Sequence, residues 1–295
     1  MLTRLGVLLS TLVLAAPAGA QSSPYGDAPR DGQRVVLVTG STGGLGREVA
    51  RALAAKGDHV IVHGRSEQRG RALVDELRGT PGTARFYAAD FGSLAQVRAL
   101  ADSVRADYPR LDVLVNNAGI ALEGDRRLSD DGNELHFQVN YLAGFVLAEE
   151  LLPLLRESDD GRLVNVSSGG QAPVDFDDLR LDGEYSMWRA YSVSKHAQIM
   201  QVVDLAEDPR NERLRINALH PSTFMDTDMV LELGFEPESS VETGRDAVLR
   251  LIDADDVGSG DFYDVFEKRR ARFDQAYDAE ARQRLRAISL ELTRP

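Results

Sequence analysis

The pentapeptide YSVSK at residues 191–195 sets a phenol and an ammonium four positions apart. On a helix, that spacing lays Tyr191 and Lys195 on one face. Such a pair is either an ordinary exposed couple or a phenol whose proton is governed by a neighbouring cation, and the pentapeptide alone does not choose between them. A second stretch with chemical content is TGSTGGLG at 39–46, where Gly40, Gly44 and Gly46 follow a G-x-x-x-G-x-G spacing. Glycines so placed permit a tight turn and a close backbone approach to a pyrophosphate. That anion then meets the free N–H groups and positive dipole end of a following helix. Gly40, Ser41, Thr42, Gly44, Leu45 and Gly46 are the residues expected to face it.

These groups need elements to hold them. RVVLVTG (34–40), HVIVHG (59–64), ARFYAAD (84–90), LDVLVNNAG (111–119), GRLVNVSS (161–168) and LRINALHP (214–221) are apolar, often β-branched runs of strand length. Helical spacing fills the gaps at 46–57, 66–79, 93–108, about 133–155 and 189–208, with Gly57 as a stop and Ser66 as a cap. A helix at 241–252, a short strand at 261–266 and a helical tail from about 277 follow. Strands alternating with helices predict an α/β fold, a doubly wound parallel sheet covered on both faces. The glycine turn lies between the first such strand and the first helix, the position a nucleotide site requires.

Sheets of this kind bind ligands at the carboxyl ends of their strands, where the winding reverses. Each end was therefore read for chemistry. The second strand closes on Arg65, with no acidic residue at 63–65 to take a ribose hydroxyl, and Arg47 opens the first helix. Guanidinium suits a phosphate, so NADP is favoured over NAD. The third strand ends in Asp90, an acceptor for an adenine amino group, and the fourth in Asn116 and Asn117. Buried asparagines are costly unless bonded, so this pair is expected to pin neighbouring strands and, through Asn117, to line the coenzyme groove. Ser167 and Ser168 end the fifth strand, His220 and Pro221 the sixth.

Composition narrows the classes. A formal net charge of -13 argues against nucleic acid as a partner, and the absence of cysteine excludes thiolate metal sites, disulfides and a cysteine nucleophile. The acidic runs at 175–184 and 253–256 read as solvated loops, and no metal site is expected. Residues 1–20 have the layout of a secretory signal: one early Arg, an apolar stretch from Leu5 to Ala16, then Ala18-Gly19-Ala20. Export is the expectation, with an uncleaved anchor or a cytoplasmic enzyme as the alternatives, and 21–33 reads as a flexible linker.

The glycine turn, NNAG at 116–119, the serine at the fifth strand end and Y-x-x-x-K occur in register with the strands, and in this order resemble the short-chain dehydrogenase/reductase family. The match covers roughly 34–270, leaving 271–295 as a helical tail. The long gap between Ser168 and Tyr191, with its FDDL string at 176–179, is similar to the retinol-dehydrogenase-like branch. The resemblance implies a single-domain Rossmann-type fold in three α/β/α layers and NAD(P)-dependent interconversion of alcohols and carbonyls. It places the catalytic residues at Asn140, Ser168, Tyr191 and Lys195. Tyr191 would be the acid/base, its pKa of about 10 lowered by a cation within about 4–6 Å. Lys195 would supply that charge and bind the nicotinamide ribose, Ser168 would bind the substrate oxygen, and Asn140 would complete a proton relay.

The stretch HPSTFMDTDMV (220–230) departs from the family's Pro-Gly, so the carboxamide contact falls on Thr223 or on Thr227. Met225, Met229, Leu231 and Phe235 are either an apolar lid over a lipophilic substrate or a packed helix. Relatives associate through helices matching about 135–155 and 190–206, which implies a homodimer or homotetramer. Two rival readings remain: a non-catalytic dinucleotide-binding sensor or scaffold on the same fold, and a nucleotide-sugar epimerase or dehydratase on a related fold, whose glycine turn is spaced differently and for whose larger C-terminal domain there is little room.

Overall fold

The computed structural model describes residues 24–294; the leader expected at 1–20 lies outside them. Among the described residues no helix is long and apolar enough to cross a membrane. The strands in chain order are β1 (Tyr25–Gly26), β2 (Val35–Val38), β3 (His59–Gly64), β4 (Thr83–Ala88), β5 (Val113–Asn116), β6 (Arg162–Val166), β7 (Arg215–His220), β8 (Asp261–Asp264) and β9 (Glu267–Arg269). They form one sheet in the order β1-β4-β3-β2-β5-β6-β7-β8-β9, with β2 through β8 parallel and the two edge strands antiparallel. The chain winds outward from β2 to β4, then returns to place β5 on the other side of β2. The loops after β2 and β5 therefore part company, and a crevice opens at their carboxyl ends.

Helices α1 (Gly44–Lys56), α2 (Glu67–Leu77) and α7 (Val241–Asp253) cover one face; α3 (Leu94–Asp107), α4 (Ala143–Arg156) and α5 (Met187–Glu207) cover the other. Alternate strand residues feed two separate cores: Val36, Val38, Val60 and Val62 pack under α1 and α2, while Leu37, Ile61 and Leu114 pack under α3, α4 and α5. A parallel sheet buried on both faces needs this continuous apolar content. Local signals act as read: Ser66 Oγ accepts from Arg69 N at 3.3 Å, and Gly57, at φ 100°, ends α1 by returning its N–H to Ala54 and Leu53.

Four differences from the sequence reading bear on function. The described part of the expected linker is tied down: Tyr25 pairs with Phe86, its hydroxyl meets Asp75 at 2.9 Å, and Gln33 Nε2 reaches Gly57 O at 2.7 Å. The helix expected from 133 begins instead with a π-helical segment, Phe137–Leu142, before α4. The stretch at 225–235 is mostly loop around a short helix, α6 (Asp228–Glu232), of which only Val230 is buried. Finally, α8 (Ala279–Leu292) and the 3-10 turn before it (Asp274–Tyr277) are not a separate tail. Ala276 and Leu285 join the core beneath α5, and the Tyr141 and Ser289 hydroxyls meet at 2.9 Å.

Candidate active site

The glycine turn hangs between two strand ends. From β5, Asn117 Nδ2 donates to Thr39 O at 2.8 Å, and the backbone N–H groups of Asn117 and Ala118 both donate to Thr39 Oγ1, at 2.9 and 3.0 Å. From β3, His63 Nδ1 accepts from Gly40 N at 3.1 Å, and His63 O accepts from Ser41 N at 2.9 Å. The glycines answer specific demands. Gly40 sits at φ 65° with Ala118 Cα only 2.9 Å from where a Cβ would be, and a Cβ on Gly46 would strike Asn117 Nδ2 at 2.5 Å. A Cβ on Gly43, in contrast, would meet nothing within 4 Å. Gly43 is also the N-cap of α1, gives no side-chain cap, and no acidic residue follows in the first turn. An uncapped helix start facing open space, with no carboxylate to repel an anion, fits a pyrophosphate.

Around the turn, Arg65 is exposed and has no ionic partner among the described residues. Arg47 is different: Glu76 pairs with it at 2.7 Å, which removes it from the phosphate argument. Asp90 Oδ1 accepts from Gly92 N at 2.8 Å while the carboxylate stays partly exposed. Asn116 pins β5 to β6 by donating to Asn165 Oδ1 at 2.9 Å. Thr39 and His63, which hold the turn most directly, were not singled out by spacing. Their signal was only their place at the ends of the first two apolar runs.

On the other side of the crevice, α5 brings Tyr191 and Lys195 against the end of β6. Lys195 Nζ donates to Val166 O at 2.8 Å and lies 5.6 Å from the centre of the Tyr191 ring. Ser168 Oγ accepts from Gly170 N at 3.0 Å and hydrogen-bonds the Tyr191 phenol. Burial pushes the Lys195 ammonium down to about 7. Burial also pushes the Tyr191 phenol above its usual range, with the Ser168 hydrogen bond working the other way. In the protein alone burial is the dominant influence on the phenol, with Lys195 Nζ committed to Val166 O; the lowering expected from Lys195 together with the oxidised nicotinamide belongs to the coenzyme complex.

Asn140 lies in the π-helical segment, one extra residue per turn marked by Ala143 N bonding back to Gln138 O. Its amide grips Ile120 twice, Oδ1 accepting from Ile120 N at 2.7 Å and Nδ2 donating to Ile120 O at 3.1 Å. It also donates to Ser194 Oγ at 3.0 Å. Gly119 lies between Asn140 and Lys195: a Cβ there would sit 3.3 Å from Asn140 Oδ1 and 3.5 Å from Lys195 Nζ. The four candidate catalytic residues thus converge, with Asn140 tying the loop after β5 to α5.

The remaining wall is aromatic and open. Trp188 meets Tyr191 edge-on at 6.4 Å and Phe235 at 5.8 Å, and Phe235 stacks on Phe224 at 4.7 Å. The insertion at 169–186 is held from the C-terminal segment, where Gln275 exchanges hydrogen bonds with Val174 N and O at 2.7 and 2.9 Å. The two threonines separate: Thr223 Oγ1 bonds His220 Nε2 at 3.1 Å, whereas the methyl of Thr227 lies 3.5 Å from where a Cβ on Gly44 would be. Among the described residues no cluster of His, Cys, Asp and Glu could hold a metal ion.

Known proteins share this arrangement. The family described as short chain dehydrogenase matches residues 34–236. The polyprenol dehydrogenase of Mus musculus is 36% identical over 88% of this chain and 84% of its own length. Retinol dehydrogenase 14 of Mus musculus is 34% identical over 70% of this chain; the match spans 66% of that protein, just under two thirds. Among solved structures, a chain from Shigella flexneri 2a described as a short chain dehydrogenase and complexed with NADP has a TM-score of 0.66 at 28% identity, covering 79% of this chain and 97% of its own.

Proposed function

The chain belongs to the short-chain dehydrogenase/reductase family, in its retinol-dehydrogenase-like branch, and on that footing we propose that it is an NADP-dependent oxidoreductase interconverting a lipophilic alcohol and its carbonyl. The observation that carries the proposal is the meeting of Tyr191, Lys195 and Ser168 across a crevice from an uncapped, glycine-rich helix start. When bound, the nicotinamide coenzyme supplies or accepts the hydride. Everything else is work for this chain's own side chains.

The backbone of Gly40–Gly46 takes the pyrophosphate, Asp90 the adenine amino group, and the unpaired Arg65 a 2′-phosphate. Lys195, one helical turn from Tyr191, binds the nicotinamide ribose. The carboxamide falls to Thr223 or to Thr227, of which Thr227 lies over Gly44. In the reducing direction Tyr191 Oη gives its proton to the substrate oxygen while Ser168 Oγ hydrogen-bonds that oxygen. A phenol held above its usual pKa is protonated at neutral pH, the form that such a donor needs. Asn140, its amide fully engaged, acts by fixing the distance between the loop after β5 and α5. The rim of Trp188, Phe224 and Phe235 offers a substrate apolar surface.

The test is loss of NADPH absorbance with a panel of aldehydes and ketones graded by chain length. Turnover that rises with substrate hydrophobicity supports the proposal. No turnover on any member, by protein shown to bind NADPH, would favour a sensor.

A further inference from the structure

Resting on the coenzyme reading above, we propose that His63 is a positioning residue that sets the glycine turn in the shape a dinucleotide needs, and that coenzyme affinity depends on its Nδ1 acceptor.

The imidazole joins two parts of the groove. Nδ1 accepts from Gly40 N at 3.1 Å, so the ring proton sits on Nε2, which donates to Ala89 O at 3.2 Å, next to Asp90. The ring stacks on Phe91 at 4.3 Å and is 2% exposed. The backbone of the same residue holds the next position, its O accepting from Ser41 N at 2.9 Å and its N donating to Ser41 Oγ at 3.0 Å. Gly64 completes the seat: a Cβ there would meet Thr42 at 2.6 Å, so Thr42 can lean on the strand end only because it is glycine.

One imidazole thus ties the pyrophosphate side of the groove to the adenine side. Among the described residues Gly40 N has no other partner to accept its proton, and without Nδ1 the turn must relax to find one. A turn free to relax costs affinity because binding must then order it. Burial pushes the His63 pKa down to about 4, so at neutral pH the ring stays in the unprotonated state that Nδ1 requires.

The experiment is a fluorescence titration of NADPH into the full chain and three variants. His63→Asn keeps an acceptor where Nδ1 was. His63→Gln keeps a donor toward Ala89 but no acceptor for Gly40, and His63→Leu keeps neither. The expected result is a dissociation constant within about threefold of the unsubstituted chain for His63→Asn and at least about tenfold weaker for His63→Gln and His63→Leu. Rescue by Asn but not by Gln is what a merely volume-filling histidine would not give. Equal affinity in His63→Gln and the unsubstituted chain, or equal weakening in His63→Asn and His63→Gln, overturns the inference while leaving the coenzyme reading intact. If the unsubstituted chain binds no NADPH, that reading falls and this inference with it.

Discussion

The two walls of the crevice are built on different principles. On the coenzyme wall, Thr39, Ser41 and His63 are 1%, 0% and 2% exposed, and their polar atoms are engaged in a closed set of hydrogen bonds. On the wall proposed for substrate, Trp188, Leu231 and Phe235 are 45%, 53% and 36% exposed; Trp188 meets Phe235 edge-on, and Phe235 stacks on Phe224. Phe224 even takes a φ of 39°, a backbone conformation that bulky residues rarely adopt. Hydrogen bonds and forbidden Cβ positions specify one ligand shape. Apolar contact specifies little beyond size and greasiness. The contrast is why the proposal names a coenzyme but gives the substrate only as a class.

Substitutions on the two walls should separate cleanly, and the largest effect is expected where they meet. Tyr191→Phe should cost about 10²–10⁴ in turnover, the range for a positioned proton donor, while NADPH titration stays within a few-fold. Residual activity near the starting level would remove Tyr191 from the chemistry. On the coenzyme wall, Gly40→Ala forces a Cβ against Ala118 at a positive φ; NADPH affinity should fall by about 10-fold or more, with a lower Tm. On the substrate wall, Trp188→Ala should raise KM for a lipophilic carbonyl by about 3–10-fold and leave NADPH affinity alone. A matching loss of NADPH affinity would show that the walls are not independent.

The smallest effect concerns two buried histidines. His63 has partners on both ring nitrogens; among the described residues His196 on α5 has a hydrogen-bond partner on neither, and its ring meets Phe273 edge-on at 5.6 Å. Burial pushes both down to about 4, against about 6.5 unfolded. Above pH 6.5 neither state holds the proton. Between 6.5 and about 4 the unfolded chain takes it and the folded chain does not, so stability falls as pH falls through that window. His196→Leu should raise Tm at pH 7 and flatten its decline toward pH 5. A Tm lowered by His196→Leu, with the decline unchanged, would mean that the imidazole has an unseen partner.

Much of this was legible because the signals are local. The run at 59–64 coincides with β3, Ser66 caps α2, and Gly57 ends α1, each a choice made by a few neighbouring residues. Tyr191 and Lys195 share one face of α5 because they are four residues apart on a helix whose start Ser186 caps by accepting from Arg189 N. What escaped depends on contacts distant in sequence. The π-helical segment exists so that Asn140 can grip Ile120 and Ser194 together, and no periodicity announces that. Arg47 looked like a phosphate ligand until Glu76, from the next helix, claimed it. The burial that raises the Tyr191 phenol, and the bond that ties Lys195 Nζ to Val166 O, are likewise invisible in a pentapeptide. Tyr25 and Gln33 looked like linker because composition does not reveal a partner across the sheet edge.

The central claim, a dinucleotide lying across the tips of β2, β3 and β5 with a 2′-phosphate on Arg65, is tested most directly by titrating NADPH and NADH into the full chain and into Arg65→Asp. The account predicts saturable binding of both, NADPH at least about tenfold tighter, and a preference that disappears in Arg65→Asp through loss of NADPH affinity alone. Equal affinity for the two coenzymes in the unsubstituted chain would contradict the assignment of Arg65, and no affinity for either would contradict the claim itself.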